Sequence, residues 1–139
     1  MRFRRQFSGQ DLVEFALVLP FLLMLIMGIF DLGRVTFLYS TITNISREGA
    51  RYGVVHLCDN PGVIAAAKEK AIGIDPNDLN IPPPVWNPSD CSATDPPGRG
   101  TVIVSVSFEF IPITPFIADI LGGGSSITLN STANMYLEL

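Results

Sequence analysis

A chain of 139 residues has room for one membrane helix and one small domain, and little more. Hydrophobic residues make up 47% and charged ones 16%, a balance more apolar than soluble domains usually show. The net charge of −4 hides an asymmetry, because Arg2, Arg4 and Arg5 precede a long apolar run while Asp59, Asp75, Asp78, Asp90, Asp95 and Asp119 follow it. No basic patch marks nucleic acid as a partner.

Met1 to Ser8 is a basic leader suited to lie against anionic headgroups. From Phe15 to Phe30 nothing is charged, and only Pro20 and Gly28 interrupt a run of Leu, Ile, Met, Phe, Val and Ala. Leu12 to Phe30 is 19 residues with Glu14 as the single charge, and at about 1.5 Å per residue it nearly crosses a ~30 Å hydrocarbon core. A cleavable secretory signal is the alternative, but no Ala-x-Ala-like site follows, and Asp31-Leu32-Gly33-Arg34 continues a helical pattern. The positive-inside rule then puts the N-terminus in the cytoplasm and exports the chain after Phe30. Localisation follows as a single-span protein of the cytoplasmic (inner) membrane.

Beyond the run, Val35, Leu38, Ile42, Ile45, Gly49 and Tyr52 recur at steps of three and four, which is one apolar helical face. The spacing predicts one helix from about Asp11 to about His56, roughly 65–70 Å long, whose second half leaves the membrane as a stem. Asn60 can cap a second helix with Pro61 in its first turn, its face carrying Val63, Ile64, Ala67, Ala71 and Ile72 up to Gly73. Seven prolines between Asp75 and Gly100 exclude long regular structure there, leaving at most a short edge strand at Leu79–Ile81 or Val85–Trp86.

Thr101 to Phe110 alternates as a strand, with Val102, Val104, Val106, Phe108 and Phe110 on one face. Thr114-Pro115 can start a short helix carrying Phe116, Ile117, Ile120 and Leu121, ended by Gly122-Gly123-Gly124. A last strand puts Ile127, Leu129, Ala133, Met135, Leu137 and Leu139 on one face. One-faced strands need cover, and the helices offer it. The expected fold class is α+β: a long N-terminal helix, a small antiparallel sheet and one or two short helices. The chain divides into a leader (1–9), a transmembrane helix (10–31) and an exported domain (32–139).

Cys58 and Cys91 are the only cysteines. In an exported domain they can form a disulfide closing a loop of about 30 residues, a contribution of roughly 3–4 kcal/mol in the chain-entropy model; two buried free thiols are the alternative. With His56 they are too few for a tetrahedral metal site, and no cofactor is expected. One histidine and serines outside any elbow motif give no nucleophile-base-acid set, so no catalytic residue and no enzyme activity is expected. Gly122–Gly124 lacks a following Lys-Ser/Thr, hence a turn and not a phosphate loop. Gly49 and Gly53 have small-xxx-small spacing outside the apolar run, suited to close packing of the second helix or sheet. Asp31 and Arg34 read as an ion pair at the membrane edge, with a subunit contact as the alternative.

Glu14 is the expensive residue, since a carboxylate within the apolar edge costs roughly 2.5–3.5 kcal/mol on insertion scales. Its neighbours, Gly9-Gln10-Asp11-Leu12-Val13-Glu14-Phe15 before an apolar helix, resemble the processing site of type IV pilin-like proteins. The resemblance implies a prepilin peptidase cutting after Gly9, with Gln10 as the new N-terminus, Glu14 as the fifth mature residue and Phe15 where Tad pilins usually carry an aromatic. Asp11 departs from the more usual uncharged residue.

Gly9 through Pro20, Gly28 to Arg34, and Thr43-Asn44 to Arg47-Glu48-Gly49-Ala50-Arg51-Tyr52-Gly53 are similar to the TadE-like family. Val104-Ser105-Val106, Pro115-Phe116, the Gly run and a terminal strand near Glu138 are similar to it as well. The resemblance implies a minor pilin or pseudopilin of the Tad (tight adherence) pilus. Its partners would be the prepilin peptidase, other pilin-like subunits, the inner-membrane assembly platform and membrane lipid. In a bundle of such helices, Glu14 of one subunit can pair with the freed α-amino group of the next. The alternative is an uncleaved, membrane-anchored accessory subunit of another envelope complex.

Overall fold

One helix, α1 (Gly9–Val55, 47 residues), carries everything else. The computed structural model describes residues 9–87, 89, 100–114 and 125–137. At about 1.5 Å per residue α1 is roughly 70 Å long. It runs on through Pro20, although a proline inside a helix removes one backbone donor. Threonines are tolerated in its second half because they bond back one turn: Thr36 Oγ1 donates to the Leu32 carbonyl at 2.9 Å, Thr41 to Phe37 at 3.0 Å and Thr43 to Tyr39 at 2.8 Å.

The two halves of α1 differ in what covers them. Its most apolar 18-residue window has a mean hydropathy of 2.5 and none of it is buried. From Leu38 onward the same helix buries Leu38, Ile42, Ile45 and Gly49 of the expected stripe, with Ala50 and Gly53 beside them, while Val35 and Tyr52 are half-buried.

The second helix, α2, spans Asn60–Glu69. Its cap is Asp59, whose carboxylate accepts the Gly62 N–H at 3.0 Å. The expected cap, Asn60, is instead the first helical residue, and its side-chain oxygen accepts the indole N–H of Trp86 at 2.7 Å. The helix ends before Ala71 and Ile72, so Val63 and Ala67 are its buried residues. Gly73 adopts the left-handed region at φ 76°, where a side chain would be strained.

Four strands form one antiparallel sheet: β1 (Leu79–Asn80), β2 (Val85–Asn87), β3 (Thr101–Phe110) and β4 (Ile127–Tyr136). The alternation placed β3 at its observed bounds. Every β3 residue pairs with β4, from Thr101↔Tyr136 to Phe110↔Ile127. That occupies one edge of β3, and both short strands share the other, β2 against residues 101–103 and β1 against 107–108. Two short strands form where at most one was expected, since prolines 82–84 separate them without barring either from an edge.

Val102, Val104, Val106 and Phe110 point at the helices and are at most 1% exposed. An added Cβ on Gly49 would stand 3.1 Å from Ala67 Cβ and 3.3 Å from Val104 Cγ1; on Gly53, 3.1 Å from both Trp86 Cη2 and Val102 Cγ2. The two glycines therefore let α2 and the sheet meet α1 at one place. β3 runs antiparallel to α1, with Val102 at Gly53, Val104 at Gly49 and, at its far end, the Phe110 ring under the Arg34 guanidinium at 5.1 Å. The short helix expected at 114–121 and the Gly turn after it lie almost wholly outside the described residues, as do Cys91, Glu138 and Leu139.

Candidate anchoring and assembly site

The residues expected to matter lie along one helix in two groups. The first is its beginning. Gly9 and Gln10 open α1, both exposed, and nothing lies within 4 Å of the position a Gly9 Cβ would take. Asp11 sits in the first turn, where a carboxylate complements the helix dipole. Glu14 follows Gln10 by four residues and therefore shares its helix face. It is exposed, and no described residue hydrogen-bonds to it or pairs with it. Phe15, beside it, is 60% exposed. Side chains on a helix lean toward its N-terminus, so Glu14 reaches back toward residue 10.

The second group is at the other end of the apolar run. Asp31 is 1% exposed, the most deeply buried charged side chain described. Its carboxylate accepts the backbone N–H of Thr114 at 2.7 Å and that of Ile113 at 3.1 Å, and Arg34 lies 3.4 Å away, one turn along. Thr114 Oγ1 is buried and has no hydrogen-bond partner among the described residues. The Asp31–Arg34 pair expected from spacing is present, but the stronger contacts are those to a loop more than eighty residues later in the chain. Two N–H donors aimed at one carboxylate repay the burial that an isolated charge would not survive.

A third tie joins α1 to β4. Ser46, fully buried, has its hydroxyl 3.2 Å from that of Ser131, which also donates to Thr43 Oγ1 at 3.4 Å. Ser131 occupies the inward face of β4, between Leu129 and Ala133, where the sequence pattern contains a polar gap.

His56 stacks on Tyr52, with ring centroids 4.1 Å apart and planes 10° from parallel. Tyr52 also donates its hydroxyl to Asp59 at 3.1 Å, which holds its pKa above the usual phenol value. An open groove of about 600 Å³ beside them, between α1 and α2, is lined by interleaved charges of both signs, Glu48, Arg51, Glu69 and Lys70. Among the described residues no group of three or more His, Cys, Asp or Glu side chains is placed to hold a metal ion.

A helix that opens on Gly-Gln-Asp, exposes a carboxylate one turn later, leaves its apolar half bare and folds a small domain onto the rest has the layout of an anchored subunit. Residues 9–51 match the family model for TadE-like proteins. The TadE-like segment lies wholly inside α1 and includes both groups described above, from Gly9 to Asp31 and Arg34, as well as the start of the glycine contact at Gly49. The apolar half of α1 is long enough and apolar enough to span a membrane. No curated protein and no solved structure matches the chain.

Proposed function

We propose that this chain is a TadE-like minor pilin or pseudopilin that takes part in assembling a Tad-type adhesive pilus, after a prepilin peptidase cuts between Gly9 and Gln10. The observation that carries this reading is the family match over residues 9–51, together with a helix whose first half has no cover within its own chain. A helix apolar on all sides needs lipid or other helices around it. In the membrane it has the first, and in a fibre of like subunits it has the second. The N-terminus faces the cytoplasm, where the peptidase cuts, and the domain from residue 32 onward is exported.

Glu14 is the residue that chooses between those surroundings. In lipid its desolvation is uncompensated, whereas the α-amino group of a neighbouring mature subunit, created by the cut at Gln10, offers an opposite charge. Export also favours a bridge between Cys58 and Cys91, which would tie the proline-rich segment to the end of α1. No described cysteine is free.

N-terminal sequencing of the membrane-extracted protein tests the reading. A mature chain beginning at Gln10, recovered with other pilin-like subunits in a pull-down, is the expected result. A chain still beginning at Met1 would favour an uncleaved accessory subunit instead.

A further inference from the structure

The loop that follows β3 carries two exposed isoleucines. Ile111 is 66% exposed and Ile113 is 63% exposed, and they flank Pro112, which cannot donate a hydrogen bond. Nothing in a soluble domain requires two large apolar side chains on one short exposed loop, but here the loop's height is fixed. The Ile113 N–H bonds the carboxylate of Asp31 at 3.1 Å. Because the side chain of Asp31 leans toward the helix N-terminus, Ile113 stands level with residue 31 or on the apolar side of it. Leu32, next along α1, is 67% exposed.

The strictly uncharged part of the apolar run is shorter than the hydrocarbon core. Phe15 to Phe30 is uncharged and at about 1.5 Å per residue spans roughly 24 Å, against a hydrocarbon core of ~30 Å. The missing thickness must be supplied at one end. The start of the helix offers Leu12 and Val13, but set between the carboxylates of Asp11 and Glu14. The other end offers Leu32, Ile111 and Ile113, all exposed, while the Asp31 carboxylate is buried and bonded to the loop backbone. Arg34 sits one turn further on, half-exposed at 47%, where a guanidinium can meet lipid phosphates.

We infer that Ile111 and Ile113 form a membrane foot. The domain is seated on the bilayer, with these two side chains in the boundary between headgroups and acyl chains, and Asp31 is the positioning residue that holds them there. The occupant of this surface is lipid. The inference rests on α1 spanning the membrane, and the experiment separates the two.

Tryptophan is introduced singly as Ile111→Trp, Ile113→Trp, Phe21→Trp and Tyr136→Trp in the full chain, which is reconstituted into phosphatidylcholine and phosphatidylglycerol vesicles carrying bromine near the top of the acyl chains, to read positions 111, 113 and 136, or near their ends, to read position 21. All four positions are exposed, so no packing is lost, and native Trp86, 8% exposed, supplies a constant background. Tyr136 pairs with Thr101 at the far end of the sheet, roughly 30 Å from the foot at 3.3 Å per residue, and is expected to remain unquenched. Emission from positions 111 and 113 is expected to fall by roughly half, the response of a group seated 5–10 Å into the interface. Adding Asp31→Ala to the Ile113→Trp chain should weaken that quenching.

Quenching at position 21 without quenching at 111 and 113 would overturn the foot and leave the span intact. No quenching at position 21 would overturn the span itself, and the foot with it. A blue-shifted, unquenched emission at 111 and 113 that grows with protein concentration would put a second protein copy there and overturn the assignment to lipid.

Discussion

The carboxylate of Asp31 accepts the backbone N–H of Thr114 at 2.7 Å, across 83 residues of chain. It joins the end of the apolar run to the end of the sheet's central strand. Removing it leaves two N–H groups without their acceptor, one of them on a residue only 3% exposed. Asp31→Ala is expected to lower the unfolding free energy of the detergent-solubilised full chain by about 2–4 kcal/mol, the range for losing charge-assisted hydrogen bonds at a buried site. Denaturant titration followed by Trp86 fluorescence measures it.

Gly49 and Gly33 should respond to alanine in opposite directions. Both lie inside α1, where Gly→Ala gains up to about 1 kcal/mol of helix propensity. Around Gly33 nothing lies within 4 Å, so the gain stands. At Gly49 the new methyl group would meet Ala67 at 3.1 Å and the Val63 carbonyl oxygen at 3.4 Å. Overpacking of that kind costs about 1–3 kcal/mol and outweighs the gain. Thermal melts of the two variants should shift up for Gly33→Ala and down for Gly49→Ala.

Alkaline pH should loosen the turn between the helices. Donation to Asp59, followed by modest burial, raises the Tyr52 pKa above 10. A raised folded-state value means that the protonated phenol is favoured by folding. Its contribution is therefore complete below the unfolded value near 10 and is lost as pH rises through the higher folded value. Tyr52→Phe should remove that part of the stability loss above pH 10, read by comparing melts of the two chains across the alkaline range.

Glu14→Ala should leave membrane insertion and processing intact while abolishing entry into the pilus. The carboxylate bonds to nothing described in its own chain, so the substitution removes no internal contact. Pilus yield from cells carrying the variant, beside the processed chain in their membranes, checks this; an unchanged yield would sink the pairing role.

Much of this architecture was legible because its signals are periodic. The three-and-four spacing from Val35 to Tyr52 and the strict alternation from Val102 to Phe110 each name an element and its buried face. The family resemblance likewise rests on residues contiguous in sequence. The contacts that join elements were not legible. Asp31 and Arg34 suggest a local pair by spacing, and nothing at position 31 announces a loop at 113–114. Asp59 and Asn60 are both good caps, and the choice fell to Asp59 because Asn60 is engaged by Trp86, 26 residues further along. Ser131 carries no signal of its own, because a hydroxyl on an apolar face is intelligible only once Ser46 is opposite it.

The pairing of Ser46 with Ser131 spans 85 residues, and that span has a consequence for how the molecule is made. Ile42 and Ile45, fully buried in the finished fold, emerge from the ribosome long before the strand beside Ser131 exists. Synthesis at about 5–20 residues per second leaves an interval of roughly 4–17 s before β4 can reach that stripe. Through that interval α2, which also packs on α1, is the first described element made after α1 that can shield it.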